Sequence, residues 1–322
     1  MEDISTMDTT NIEKLKTFTM DNIPELDTVV IGALELLGQQ ELPKIDTTCF
    51  SRPLVVGSGN AEQTGRIMFE KTDAIFASES SYMEKLKNIL EIDGVVLVSA
   101  SGEKHAPIIV KNAKEFGKKV MLITNSPNSS ASRELDKIAG DMEFIFPKNR
   151  EPYTYNVSTY MGMILGATGE NALDIKKFIE NSINNLNFPD FSKYNKYYLL
   201  LPSNFSGSIG MLQNKFIELF GRMIARDIET IEFARLHATT VVPSDELFIS
   251  FGEKDEMWGD SENRFFVPLP DKCDYGAMMA VGYYIVGQIQ KAYPSYFKEN
   301  IANYCEKVSR LSGQNLKPIV EI

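Results

Sequence analysis

The sequence predicts an α/β protein built as two doubly wound parallel sheets in tandem. Three observations predict it. Short apolar runs alternate with amphipathic helical stretches, the pattern of strands joined by crossover helices. Val95–Ser99 is an almost unbroken apolar, largely β-branched run, which suits a strand covered on both faces. After about residue 195 the order of strand, polar loop and long helix begins again, which reads as a second unit of the same kind.

The elements follow in order. Residues 1–48 read as a polar start and a helical pair, with Val29, Val30, Leu34 and Leu37 at helical spacing. Arg52-Pro53 punctuates the chain, and Leu54–Val56 is a short buried strand that runs into Gly57-Ser58-Gly59-Asn60. Asn60 is expected to N-cap the next helix, with Gln63 in the capping-box position. Asp73–Ala77 reads as a strand, Tyr82–Leu90 as a helix and Val95–Ser99 as a strand. In the next helix Pro107 suits the first turn, Ile109, Ala113 and Phe116 share a face, and Gly117 ends it. Val120–Thr124 and Met142–Phe146 complete the first set of strands.

The Asn-rich stretch Glu180–Asn195 reads as a linker, so one domain spans residues 49–184 and a second, with a C-terminal tail, spans 185–322. In the second, Lys196–Leu201 is a strand and Pro202–Gly207 a polar loop. A long helix then runs to about Arg226, followed by strands near Thr230–Phe233, Glu246–Phe251 and Arg264–Leu269.

Composition excludes several classes. With 322 residues, 43% of them hydrophobic and 24% charged, the chain can fill two domain cores. A net charge of −11 argues against a nucleic-acid partner, because phosphate-backbone binding needs a basic face. Three cysteines without a C-x-x-C and only two histidines, His105 and His237, point to no disulfide framework and no metal site. The start MEDISTMDTT is not a signal peptide, and the apolar run Gly276–Gly287 is too short for a membrane span, so a cytoplasmic protein without a membrane partner is expected.

The chemistry lies at the strand ends. Ligands of doubly wound sheets bind at the C-terminal ends of the strands. Three such ends carry small polar loops before helices: Gly57-Ser58-Gly59, Ser99-Ala100-Ser101-Gly102 and Asn125-Ser126-Pro127-Asn128-Ser129-Ser130. Helix N-termini present unpaired N–H groups, serine hydroxyls add donors, and glycine lets the backbone approach. One serine before a helix is most often only a cap. Three at one sheet edge form a cup for a phosphate, with Lys104 as a full charge. No P-loop motif is present. Glu62 stands where a dinucleotide fingerprint has its third glycine, which opposes a nicotinamide cofactor.

The segments V-V-G-S-G-N, A-S-E-S-S-Y, V-L-V-S-A-S-G-E-K and L-I-T-N-S-P-N-S-S together resemble a sugar isomerase (SIS) domain. The resemblance is specific over about residues 50–150 and looser over 195–322. It is closest to the isomerase half of glucosamine-6-phosphate synthase and to related phosphosugar isomerases and deaminases. It implies two flavodoxin-like SIS domains in tandem, a homodimer with sites near the subunit interface, and no cofactor. Carried over by position, the phosphate ligands fall on Ser58, Gly59, Ser99, Ala100, Ser101, Lys104 and Ser129 or Ser130. The family has threonine where Lys104 stands and often glutamine at Ala100.

The same resemblance suggests the reacting groups. A glutamate on the long second-domain helix is the family's usual base, and Glu218 occupies that place. It reads equally as half of a surface i,i+4 pair with Arg222. A histidine, often the partner subunit's, opens the sugar ring. His237 is the candidate, although the family's following Gly-Pro is Ala238-Thr239 here. Lys317 matches a tail lysine that reaches the sugar. The chain opens Met1-Glu2-Asp3 without a cysteine, so a glutaminase activity is not expected. The expected function is a phosphosugar isomerase or deaminase acting on a hexose or hexosamine 6-phosphate through an enediol. A non-catalytic sugar-phosphate sensor is the alternative.

Overall fold

The computed structural model describes residues 10–239 and 245–322; the polar stretch 1–9 of the sequence reading lies outside them. Two short helices come first, α1 (Asn11–Thr17) and α2 (Leu26–Leu37). Then β1 (Pro53–Gly57), α3 (Asn60–Met68), β2 (Ile75–Ser78), α4 (Tyr82–Asn88), β3 (Gly94–Val98), α5 (Ala106–Glu115), β4 (Lys119–Thr124), α6 (Ser130–Glu134) and β5 (Met142–Ile145) alternate. Among the described residues the five strands form one parallel sheet in the order β2-β1-β3-β4-β5. All of β1 and β3 is buried, as their apolar runs require.

A short strand β6 (Glu151–Pro152) leads into α7 (Val157–Thr168) and α8 (Ala172–Phe178). The second unit holds β7 (Lys196–Leu201), α9 (Ile209–Phe220), β8 (Ala225–Thr230), α10 (Ile231–His237), β9 (Glu246–Phe251) and β10 (Arg264–Val267). Its strands are parallel in the order β10-β9-β7-β8, which is the first sheet's order without the last strand. Two doubly wound sheets of one kind are therefore present, as expected. Helices α11 (Tyr275–Lys291) and α12 (Tyr296–Ser312) follow, and the tail strand β11 (Ile319–Val320) pairs antiparallel with β6.

Three expectations about local structure change. The long helix ends at Phe220 rather than near Arg226, because Gly221 turns at φ 57 and Ile224 and Ile228 are drawn into the core around strand β8. The residues read as a strand near Thr230–Phe233 form instead the start of α10, N-capped by the Thr230 hydroxyl, which accepts from the Phe233 N–H. The supposed linker is packed: α8 continues as a π-helical turn over Ile179–Ile183, and Ile179, Ile183 and Phe191 are buried. These apolar anchors outweigh the Asn-rich composition.

The apolar run Gly276–Gly287 is explained by α11, which is buried on nearly every side between the two units. It packs on α2, α7 and α9. Among the described residues no helix is long and apolar enough to cross a membrane.

Candidate functional site

The strand order reverses between β1 and β3, so a crevice opens at their C-terminal ends. The first loop fits because Gly57 has no side chain: a Cβ there would lie 2.6 Å from the Glu62 backbone nitrogen. Helix α3 therefore starts directly against the strand end. Ser58 and Gly59 are exposed at this turn, and the Ser58 hydroxyl donates to Glu79 Oε1 at 3.1 Å.

The second and third loops are knitted together. The Ala100 carbonyl accepts from the Asn125 N–H (3.0 Å), the Thr124 hydroxyl (3.2 Å) and the Ser126 hydroxyl (3.3 Å). A trans peptide points its C=O and N–H in opposite directions. The Ser101 N–H is thus turned away from the third loop. Gly102 has φ 63, and a Cβ on it would overlap the Ser129 side chain. The Ser99 hydroxyl accepts from the Gly102 N–H at 3.2 Å. Lys104, also at positive φ (57°), starts the turn into α5 and donates to Gln314 Oε1 of the tail at 2.6 Å.

The third loop spends most of its polar groups on this framework. The Ser129 hydroxyl is buried and caps α6, accepting from the Ser132 N–H at 3.1 Å. The Ser130 N–H donates to Glu103 Oε1 at 2.9 Å, and its hydroxyl accepts from Arg133. Asn125 donates to the carbonyls of Phe146 and Thr159. The structure thus brings Ser58, Gly59, Ser99, Ala100, Ser101, Lys104, Ser129 and Ser130 to one edge. It leaves Ser58 and Ser101 the most open of the serines.

Glu218 reaches this edge through helix packing. Helices α3 and α9, each following the first strand of its sheet, pack antiparallel: Asn60 faces Asn214 and Glu218, while Gln63 and Thr64 face Gly210 and Met211. Asn60 was expected to be an N-cap. Gly59 takes that position, and Asn60 is the first helical residue. Its amide is therefore free to donate to Glu218 Oε1 at 3.3 Å while its oxygen accepts from Asn214 at 2.9 Å.

The ion-pair partner of Glu218 is Lys215, at 2.6 Å, not Arg222. The Lys215 side chain is fully buried, and Nζ also donates to the carbonyls of Thr154 (2.8 Å) and Tyr155 (2.7 Å). Those carbonyls are presented by a strained turn, with Thr154 at φ 73 and Asn156 at φ 46. The Tyr283 ring lies 5.1 Å from Nζ. Burial, and to a lesser degree the Glu218 charge, raises the Tyr160 and Tyr283 phenols above their ordinary range.

Lys215 is the residue of the candidate site that sequence reasoning passed over. Its signal was present: a lysine flanked by Leu212, Phe216 and Leu219 on the apolar face of a helix, three residues before a glutamate.

Glu218 also lines a cavity of about 410 Å³. Thr154, Ile217, Met223, Tyr296, Phe297 and Ile301 are among its walls, as is Tyr304, whose ring lies 6.2 Å from that of Tyr153.

The other two candidates stand apart. His237 is exposed at the end of α10, where its ring meets Phe233 at 4.5 Å; it does not line the cavity beside Glu218. Lys317 is exposed in the tail, between Gln314, which holds Lys104, and Pro318, whose carbonyl accepts from the Tyr153 N–H at 2.8 Å.

No protein-family model matches the chain. No curated protein matches it in sequence. Solved structures do match it. The C-terminal domain of glucosamine-fructose-6-phosphate aminotransferase from Francisella tularensis aligns with TM-score 0.59 at 13% identity, over 88% of this chain and 98% of that one. Glucosamine-6-phosphate deaminase from Thermotoga maritima aligns with TM-score 0.51 at 14% identity, over 88% and 94%. Tagatose-6-phosphate ketose/aldose isomerase from Escherichia coli aligns with TM-score 0.50 at 13% identity, over 83% and 87%. The chain has the fold of two tandem SIS domains, and its structural neighbours include phosphosugar isomerases and deaminases.

Proposed function

We propose that this chain binds a hexose or hexosamine 6-phosphate and acts on it as an isomerase or deaminase. The observation that carries the reading is the continuous path from Ser58-Gly59 through Asn60 to the Glu218 carboxylate, which a buried lysine holds in place. In this reading residues 49–184 and 185–322 are the two domains. The phosphate sits on the Ser58, Ser99 and Ser101 hydroxyls and the backbone at Gly59 and Ala100, with Lys104 as counter-charge. Ser129 and Ser130 hold the loop in shape.

A phosphate at one end of a hexose leaves C1 and C2 at the other, towards Glu218. Glu218 removes the C2 proton of the open-chain aldose as O1 takes up a proton, and returns it to C1 of the enediol as the O2 hydroxyl gives its proton up, which leaves the ketose. Lys215 donates to one carboxylate oxygen and Asn60 to the other, so the base is oriented before the sugar arrives. Lys317 reaches the sugar from the tail. His237 opens the ring across a homodimer interface, since within one chain it faces Phe233 rather than Glu218. That same exposed position is what favours the second reading, a sensor that binds the sugar phosphate without turnover.

The test is thermal unfolding of the pure protein against fructose, glucose, mannose, glucosamine and N-acetylglucosamine 6-phosphates. A ligand at about 100 times its Kd adds about 2.7 kcal/mol of stability. A rise in Tm with one of them, followed by product formation, supports the enzyme. A rise without product supports the sensor. No rise with any of them overturns both.

A further inference from the structure

The cavity that Glu218 lines is formed mainly by the C-terminal end of α9, the residues just after it and the first turns of α12. No residue of the three serine loops is among its walls, so it is a separate site from the proposed phosphate seat. Ile217, Met223, Tyr296, Phe297 and Ile301 make those walls apolar. At about 410 Å³ it has the size of a pocket for one small molecule. Ile217 and Met223 are 51% and 62% exposed, so the apolar wall runs out to the surface.

The charges on the walls decide what kind of molecule fits. Glu218 and Arg222 are the two charged residues there. Glu218 is already answered: Lys215 Nζ lies 2.6 Å from Oε2, and Asn60 donates to Oε1. Arg222 is exposed, and among the described residues it has no ion-pair or hydrogen-bond partner. Asp227 and Glu246 share a second cavity with it, and neither pairs with it. The apolar walls therefore carry one uncompensated guanidinium, whose fork of N–H donors matches a carboxylate. A polyol against the same walls would lose water without replacement. From this we infer that the cavity is a binding site for a small apolar carboxylic acid, its carboxylate on Arg222 and its hydrocarbon or aromatic body between Met223, Tyr296, Phe297 and Ile301. The inference goes beyond the sugar-phosphate reading and does not depend on it.

The test titrates the full chain with 4-phenylbutyrate, 4-phenylbutanol and 4-phenylbutylamine, which share one body and differ in charge at the end. Calorimetry gives the affinities, and the Met223 methyl resonance reports the place. The acid should bind about 10- to 100-fold more tightly than the alcohol, the worth of a hydrogen bond to a charged group, and the amine should bind most weakly. Each bound ligand should shift the Met223 methyl. Arg222→Gln, at an exposed position, should bring the acid down to the affinity of the alcohol and leave the alcohol unchanged. Met223→Glu, also at an exposed position, should weaken both several-fold. An acid that binds no more tightly than the alcohol overturns the inference, as does a preference for the acid that Arg222→Gln leaves intact. Binding of none of the three at millimolar concentration, or binding without a shift at Met223, overturns it too. If Met223→Glu dissociates a dimer and no ligand shifts the methyl in wild type, a second copy of the chain covers the cavity, and the inference falls.

Discussion

At the end of β1 the chain turns through Ser58 and Gly59 into α3; at the end of β7 it turns through Ser203, Asn204 and Phe205 into α9. At the end of β3 it reads Ser99-Ala100-Ser101-Gly102-Glu103-Lys104; at the end of β9 it reads Ser250-Phe251-Gly252-Glu253-Lys254. Gly102 and Gly252 have nearly the same positive φ, 63° and 65°. The two loops keep the Gly-Glu-Lys turn and differ in the residue before it, Ser101 in one and the fully buried Phe251 in the other. Glu103 accepts from a helix N-terminus, whereas Glu253 faces Arg235 at 3.8 Å. The shared residues belong to the turn, and the exposed Ser101 of one half is replaced by a buried aromatic ring in the other. Topology places a crevice in each half, and the proposed phosphate site in one of them rests on its side chains alone.

The antiparallel pair α3 and α9 repeats the contrast at its two ends. At one end Asn60 meets Glu218 beside an open cavity. At the other the Gly207 N–H donates to the Tyr275 hydroxyl, which itself donates to Glu70 at 2.8 Å. Tyr275 is buried, and its ring stands edge-on to Phe205 at 5.4 Å. One end holds a carboxylate with space next to it, and the other is filled by an aromatic plug. The largest expected effect tests this. Glu218→Gln should lower turnover of the sugar phosphate about 100- to 10,000-fold, the usual worth of a positioned base, with little change in ligand affinity. Glu70→Gln should leave turnover within a few-fold. Equal losses in the two variants would break the comparison.

Lys215 and Tyr275 sharpen it on the side of stability. Lys215→Met leaves Glu218 and two backbone carbonyls without their donor, and removing one partner of a buried pair costs about 3–5 kcal/mol. Tyr275→Phe removes the donor to Glu70 and the acceptor of the Gly207 N–H, and should cost about 1.5–3 kcal/mol, reduced where water replaces the hydroxyl at Glu70. Urea unfolding of both variants measures the difference. A Lys215→Met protein as stable as wild type would mean that the pair is not held as the structure draws it.

Ser101→Ala comes next. A hydrogen bond to a charged group is worth about 1.5–3 kcal/mol, so phosphate-ligand affinity should fall about 10- to 100-fold. Ser203→Ala, at the corresponding edge of the second sheet, should leave it unchanged. Calorimetric titration with the best ligand from the thermal screen measures both, and a matching loss in Ser203→Ala would place phosphate in the second crevice.

Much of this was legible in the sequence. The strands β1, β3, β4, β7 and β9 showed as apolar runs, because burial on both faces leaves little choice of residue. The serine loops showed for the same topological reason, since each follows such a strand. What did not show depends on distant packing. Asn60 reads as a cap until Gly59 takes the cap and α9 supplies Glu218, 158 residues away. Arg222 is the natural helical partner for Glu218 in an isolated helix. Lys215 wins because Thr154 and Tyr155, from another unit, offer it two carbonyls in the core.

The smallest expected effect concerns the clasp between the second and third loops. Hydrogen bonds from Ser130, with Arg133 nearby, hold the exposed Glu103 carboxyl below its ordinary value of 4.5. A carboxyl with a depressed folded-state pKa contributes above its unfolded value, and the contribution is lost as pH falls through the folded one. The clasp should therefore be intact at neutral pH and open only below 4.5. The Ser130 amide resonance, which reports the bond to Glu103 directly, should titrate with a midpoint under that value. In Glu103→Gln the same resonance should show no such midpoint, because the amide carries no titrating proton. Phosphate-ligand affinity of that variant at neutral pH should fall by a few-fold at most, since Gly102, Ser129 and the Ala100 carbonyl still join the loops. A midpoint at or above 4.5 would mean that the Ser130 N–H is not bound to this carboxylate. The Ser130 N–H at the start of α6 would then be free, and the third loop would be open to a ligand rather than a brace.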